Sequence, residues 1–434
     1  MTKNIFRVAA FVAVFAFLLG ACTSSNNEDS LVAEDYANGP FKVVAIASSA
    51  DKTTISNIQK GTAIGSRLVD PAIPELGVEY TTSVPFYIDG AFVEWNTEAD
   101  GTGVAVTQDY IVNKNQNIYA IYEGSIYNGL ASGGIGKFIK DGEDVYEIHT
   151  YTSGTGNLTF TADQPTSSEL LVVAGGGGGG ANDGTRGGGG GGAGGLIHKT
   201  SFSIPSKITS VNVGEGGSNE KNDDADINMN GEDSSFGNEI AKGGGAGGHG
   251  NFPNNAGRYN GNSGGSGGGG GYSSQSMQGT PGAGYLTQGY AGGNNSAGWG
   301  GSAGGGAGGS GQNTADNTTL RNGAPGLDIN ITGTSVGYAG GGAGGLCKNN
   351  DGSGATVGVG THGAGGTDAE HLDGAPNTGG GGGGSFGKSS LKSGNIYLGG
   401  RGGSGIVAVR WIVEPTILTD EPEPEPEVTE GDGE

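Results

Sequence analysis

The sequence predicts an all-β protein in which packed glycine does much of the building. Three observations predict it. Of the 98 glycines in 434 residues, 80 fall between residues 171 and 410, about one residue in three there, in runs at 175–180, 187–192, 243–245, 267–271, 304–306, 340–342 and 379–384. The runs are framed by apolar, β-branched stretches at 170–174, 196–204, 208–213 and 406–413, and strands of that kind need a partner face to bury. The segments between runs carry Tyr259, Tyr272, Tyr285, Tyr290, Trp299 and Tyr338, which a plain glycine–serine linker lacks.

Collagen is excluded. It needs an unbroken Gly-X-Y period and abundant proline, whereas these runs are irregular and the tract holds only Pro205, Pro253, Pro281, Pro325 and Pro376. Long glycine runs can instead adopt a left-handed extended helix with three residues per turn and no internal hydrogen bonds. Laid side by side, such helices bond through N–H to C=O and through Cα–H···O contacts. Only glycine lets backbones approach so closely.

The order ELLVVAGGGGGGA, GGGGGGAGGLI, VNVGEGGS, GEDSSFG, KGGGAGG, GGGGGGSFG and GGSGIVAVRW, spread over residues 144–413, resembles the bacterial and phage glycine-rich domain. It is also similar to the extracellular glycine-rich segment of the anaplastic lymphoma kinase and leukocyte tyrosine kinase receptors. The resemblance implies a β-sandwich with a bundle of polyglycine II helices inserted between its strands. In phage adhesins of similar composition, the loops joining such helices form a receptor-binding tip. Polar insertions at 219–230 and 312–322 depart from the pattern.

Taken in order, residues 1–21 read as a targeting segment, with Lys3 and Arg7 ahead of an apolar core at 8–19 that is short for a membrane-spanning helix. Leu19-Gly20-Ala21-Cys22 resembles the bacterial lipoprotein box. This implies an acylated Cys22 at the mature N-terminus, and Thr23 after it implies the outer membrane or cell surface. Several acyl chains anchor stably where one does not. Residues 22–39 form an acidic tether with no apolar face to bury.

Residues 40–124 are poor in glycine runs and alternate as strands at 43–47, 91–95 and 117–122. The order KGTAI, DPAIPE, GAFVEWNTEADGTG, NKNQNIYAIYEG resembles the Listeria–Bacteroides repeat. The resemblance implies a small β-grasp-like module with Phe92 and Trp95 in its core and Tyr119 on its closing strand, a spacer or a weak binding unit. Residues 125–143 read as a linker or as the first strand of the glycine-rich domain. Strands at 145–151 and 158–160 lead into that domain, which spans 144–413. Residues 414–434, which alternate Glu and Pro at 421–427 and end acidic, read as a disordered acidic tail, because proline blocks ladder pairing and like charges repel.

A formal charge of −23 without clustered Lys or Arg disfavours nucleic acid, which is bound through phosphates. With Cys22 acylated, Cys347 is the other cysteine, so no intrachain disulfide is expected. Asp226-x-Asn228-x-Asn230-Gly231 opens like a calcium loop, but the twelfth position is Gly237 where a bidentate glutamate is needed; no metal is expected. Gly382-x-x-x-x-Gly387-Lys388-Ser389 matches a phosphate loop in letters alone, since a glycine run precedes it and Ser393-Gly394-Asn395 would break a following helix. The five histidines are scattered. No cofactor and no enzymatic activity are expected.

The functional expectation is a non-enzymatic binding or adhesion module, displayed on the surface through a lipid anchor in the membrane. Its partner is expected to be a cell-surface protein or a glycan. The candidate binding residues are Phe252, Arg258 and Tyr259 in one loop region, and Tyr272, Met277, Tyr285 and Tyr290 in a second. Tyrosine and arginine are common interface anchors, and loops on rigid scaffolds carry function. The alternative is a structural envelope or stalk component without a ligand, in which these aromatics only cap the glycine bundle. A remote enzyme is the third reading.

Overall fold

The computed structural model describes residues 8–9, 40–46, 52–71, 75–81, 86–161, 163–182, 186–218, 230–250, 258–274, 277–296, 299–315, 321–345, 347–348, 358–366, 372–385, 387–388 and 397–415. Cys22, Phe252, most of the targeting segment, the tether, the calcium-like residues Asp226 and Asn228, and the tail from residue 416 lie outside them. The described residues are almost entirely β, in two compact units that divide between Gly129 and Leu130, with residues 79–82 belonging to the second.

The first unit is a mixed sheet. Its order is Lys52–Ile58, Phe41–Ile46, Gln116–Asn128, Phe86–Asn96 and Ala105–Val106, and Val8–Ala9 runs antiparallel beside Ile121 and Tyr122. The Phe41–Ile46 and Gln116–Asn128 strands are parallel, while the longer ladder to Phe86–Asn96 is antiparallel with a bulge between Phe92 and Glu94. Inward positions alternate as expected for a half-buried sheet: Phe41, Val43 and Ala45 on one strand, Ile118, Ala120 and Tyr122 on the next. Phe92 sits edge-on to both Trp95 and Tyr122, with ring centres 5.8 and 6.0 Å apart. The Trp95 indole donates to the Val69 carbonyl at 3.3 Å.

The stretch at 125–143 is strand for most of its length: the end of Gln116–Asn128, then Ala131–Ser132 and Ile135–Asp141. A linker reading fails there because Ile126, Ala131 and Phe138 are buried. Ile135–Asp141 forms a continuous hairpin with Asp144–Tyr151.

The second unit is a β-sandwich of two antiparallel sheets. One has the order Ile135–Asp141, Asp144–Tyr151, Ile406–Ile412, Ser168–Val173, Leu196–Phe202; the other has Glu239–Ala241, Ser234–Phe236, Ile208–Val213, Gly154–Phe160, Ala131–Ser132. Leu170 and Val172 lie beside Val409 and Val407, and Leu171 and Val173 beside Ala408 and Ile406. The first set shares its face with Trp411, whose ring meets Phe160 of the other sheet at 5.2 Å. The second set packs against Ile329, Ile331 and Tyr338, from a hairpin of Leu327–Ile329 and Val336–Tyr338. These central strands are covered on both faces, which is why they read as unbroken apolar runs rather than as an alternation.

A buried polar cluster closes the sandwich. The Glu147 carboxylate accepts from the Tyr80 hydroxyl (2.9 Å), the Leu130 and Ala131 amides (2.6 and 3.3 Å) and the Trp411 indole (3.2 Å). His149, stacked on Trp411, places Nε2 3.0 Å from the same carboxylate and Nδ1 2.7 Å from the Gly133 carbonyl. A carbonyl only accepts, so Nδ1 donates to Gly133. Burial and the Glu147 charge drive the Tyr80 phenol far above its usual pKa, so it stays a donor.

Glycine strands leave the sandwich at Val173, and the bundle begins. Its centre is the run 187–195, and the backbone bonds there repeat every three residues. Gly187, Gly190 and Ala193 donate to Trp299, Ser302 and Gly305; Gly188, Gly191 and Gly194 to Ser385, Gly382 and Gly379; Gly189, Gly192 and Gly195 to Gly248, Gly245 and Lys242. The carbonyls of the same run accept from Gly180, Gly177 and Ala174, from Gly269 and Ser266, and from Gly345 and Gly342. Three donor rows and three acceptor rows on one chain are the signature of a three-residue turn with neighbours on every side, the polyglycine II packing. Partner numbers mostly fall as the run's rise, so most neighbours are antiparallel; the run at 299–305 is parallel. A Cβ on Gly190 would meet the backbone of Gly342 and Ala343, and one on Gly191 that of Gly177 and Gly178. The space belongs to carbonyls, and no side chain fits.

Candidate functional site

Because the runs alternate in direction, the bundle has a base at the sandwich and a far end. At the base, Leu196 donates to Gln288 O and Gly195 to Lys242 O. At the far end, Asn182 and Tyr397 exchange backbone bonds, Gly250 donates to Ala181, and Gly187 to Trp299. The candidate residues chosen from sequence divide between these ends.

At the far end the Arg186 guanidinium lies 4.3 Å from the Trp299 ring centre and 5.4 Å from that of Tyr272. An arginine against aromatic faces gains a cation–π attraction that grows with desolvation. Trp299 remains 40% exposed whereas Tyr272 is 2% exposed. Tyr272 is therefore not an outward-facing loop residue: it starts the Tyr272–Ser274 strand, and its ring supports the arginine from below. Arg258 and Tyr259 are half-buried at the same end, their carbonyls accepting from His249 and Gly271. The His249 ring takes the Ala181 amide on Nδ1 at 2.9 Å. Burial, aided by Arg258, pushes its pKa down to about 4. Met277 begins the two-residue Met277–Gln278 strand. Phe252 lies outside the described residues.

Tyr285 and Tyr290 stand at the base instead. Tyr285 opens a tight turn in which Gln288 and Gly289 donate back to its carbonyl at 3.1 and 3.3 Å. Gln288 pins the turn: its amide oxygen accepts from Lys242 N at 2.8 Å, and its nitrogen donates to Ile240 O at 2.9 Å. The turn projects Tyr285 (55% exposed), Leu286 (86%) and Tyr290. Tyr285 borders an open groove of about 460 Å³ shared with Asn230, Asp233, Lys242 and Ser263. Lys242 Nζ is 2.6 Å from Asp233 Oδ2, and this bond holds the lysine's pKa above its usual value. Asp233 Oδ1 accepts Gly243 N at 2.8 Å, and Asn230 Oδ1 accepts Ala246 N at 2.9 Å. These side chains stand where a further glycine helix would otherwise supply carbonyls.

The three outward donor rows, the central run with neighbours on every side and the framing sandwich together identify the architecture. A family model of the glycine-rich domain matches residues 152–412. The chain belongs to the glycine-rich domain family. No curated protein and no solved structure matches the chain. In this glycine-rich domain, sequence reasoning missed Arg186, Trp299 as its partner, and the Lys242–Asp233 pair. Arg186 follows Gly184-Thr185 and opens a glycine run with no aromatic beside it in sequence, and only the fold brings Trp299 to it.

Among the described residues no group of three or more His, Cys, Asp or Glu is placed to hold a metal. None of their helices is long and apolar enough to cross a membrane. Gly387–Lys388 of the phosphate-loop pattern is a short strand parallel to Cys347–Lys348.

Proposed function

We propose that the protein is a non-enzymatic binding module whose glycine-rich head is displayed at the bacterial cell surface by a lipid on Cys22. The observation that supports this reading is the Trp299–Arg186–Tyr272 stack. It fixes an exposed tryptophan at the far end of a bundle whose backbones cannot shift independently. A binding residue held this way loses little conformational freedom on association, and tryptophan and arginine are frequent interface hot spots. The partner is a protein or glycan on another cell. A stalk without a ligand is the competing reading, favoured by the burial of Tyr272, which packs rather than points outward.

The test uses the full-length protein. Cys22→Ser should move it from the membrane fraction to the soluble one. Beads coated with purified protein should adhere to whole host or neighbouring cells, and Trp299→Ala should cut adhesion at least about 30-fold if the residue is a hot spot. Adhesion unchanged by Trp299→Ala would remove the tip from consideration. No adhesion by the wild-type beads would favour the stalk.

A further inference from the structure

At the other end of the bundle, and independently of the tip, we infer that the groove beside Tyr285 is a subsite for a neutral sugar unit of a glycan. Glycine backbone at Gly231, Gly243, Gly264 and Gly284 lines it, held in place because a Cβ on any of them would meet neighbouring main chain. One wall is the exposed Tyr285 ring. The remaining walls offer hydrogen-bonding groups in both senses. Ser263 accepts from Ala283 N at 3.1 Å, leaving its own proton to donate. Lys242 spends one ammonium hydrogen on Asp233, and an ammonium has three. The Asp233 carboxylate, bonded to Lys242 and to Gly243 N, has further acceptor capacity.

Charge and shape decide between ligand classes. The Lys242–Asp233 pair neutralises itself, so neither a phosphate nor a cation finds an uncompensated opposite charge. An apolar peptide would strand the carboxylate, ammonium and hydroxyl, and unpaired polar groups are costly to bury. A pyranose has an apolar face for a tyrosine ring and hydroxyls that both donate and accept. The base also holds its shape without ligand, since Gln288 fixes the Tyr285 turn to the Ile240 carbonyl and the Lys242 amide.

The experiment titrates the full chain with cellotetraose, chitotetraose and mannotetraose, and with tetragalacturonate as the acidic counterpart, by saturation-transfer NMR and calorimetry. At least one neutral tetrasaccharide should bind, with an affinity that changes little as salt is raised. Tyr285→Ala should weaken it by about 10-fold, the worth of one aromatic face, and Tyr285→Phe should keep most of it. Both variants should melt as the wild type does, the ring being exposed. The inference is overturned if no neutral tetrasaccharide binds at about millimolar concentration. It is equally overturned if Tyr285→Ala binds as the wild type does, or if tetragalacturonate binds best and is displaced by salt.

Discussion

The sandwich and the glycine bundle are continuous along the chain, yet they are held together by opposite means. In the sandwich, side chains fill the space between sheets, and the buried Glu147 carboxylate is surrounded by donors. In the bundle, backbone carbonyls fill most of the space, and the buried side chains there, such as Ser266, Ser302 and Thr314, are mostly small. The sandwich tolerates exchange among apolar residues of similar volume, because it is specified by shape and pattern. At residues 187–192 the central run tolerates nothing larger than hydrogen, because a Cβ there meets a neighbouring main chain. Ordering glycine costs more backbone entropy than ordering other residues, and each run offsets this by bonding along three donor rows and three acceptor rows at once.

The contrast is broken most forcefully at Glu147, the point where the sandwich depends on a charge. Glu147→Ala leaves the Tyr80 hydroxyl, the Trp411 indole, two amides and His149 facing an empty site. Removing one partner of a buried ionic cluster costs about 3–5 kcal/mol, and urea denaturation should show a loss of that size. A loss below about 1 kcal/mol would mean that water replaces the carboxylate, and that the sandwich is as indifferent to side-chain chemistry there as elsewhere.

The bundle gives the next test. Gly190→Val places a branched side chain against the Gly342 and Ala343 backbone, and overpacking of that kind should cost about 3 kcal/mol. Ala193 sharpens the comparison. It lies one turn along the same donor row, and its methyl is accommodated because the bundle base there meets Leu171, Leu196 and Ala339. The rule against Cβ thus relaxes within three residues of the sandwich. If Gly190→Val unfolds at the same denaturant concentration as the wild type, the central run is not packed as described.

Much of this was legible in the sequence, and the reasons are physical. Apolar stretches such as 170–173 and 406–409 carry their strand character in their own residues. The glycine runs likewise carry a local instruction, since few other packed structures accept them. What was not legible is what depends on the number of reversals and the register between runs. Tyr272 and Tyr285 are close in sequence, but the run at 279–284 between them climbs about 3.1 Å per residue and carries them to opposite ends. The Glu147 cluster was hidden for a similar reason. Its donors Tyr80 and Trp411 lie 67 and 264 residues away. The only local hint is that Glu147, His149 and Tyr151 share the inward face of one strand.

The smallest effect expected is also the one that reaches the far end of the bundle without altering a packed residue. His249 accepts the Ala181 amide on Nδ1, so the ring is neutral in the fold. Its pKa is pushed down to about 4, first by burial and then by Arg258, against an ordinary value of 6.5. A histidine with a lowered folded pKa binds fewer protons folded than unfolded below pH 6.5. Stability must therefore fall as pH drops from 6.5, and the full loss is reached near pH 4. At about 1.4 kcal/mol per pH unit, and allowing for the ring's partial exposure, the loss is about 2 kcal/mol. His249→Gln can accept the same amide without titrating, so its stability should stay flatter than the wild type's across that window. Parallel loss in both proteins would assign the acid sensitivity to carboxylates elsewhere. A difference confined to pH 4–6.5, with amide exchange rising at Ala181 before it rises at 188–192, would place the weak point of the bundle at its far end. There side chains have replaced carbonyls as the acceptors, and the protection that backbone-only packing gives against protons ends.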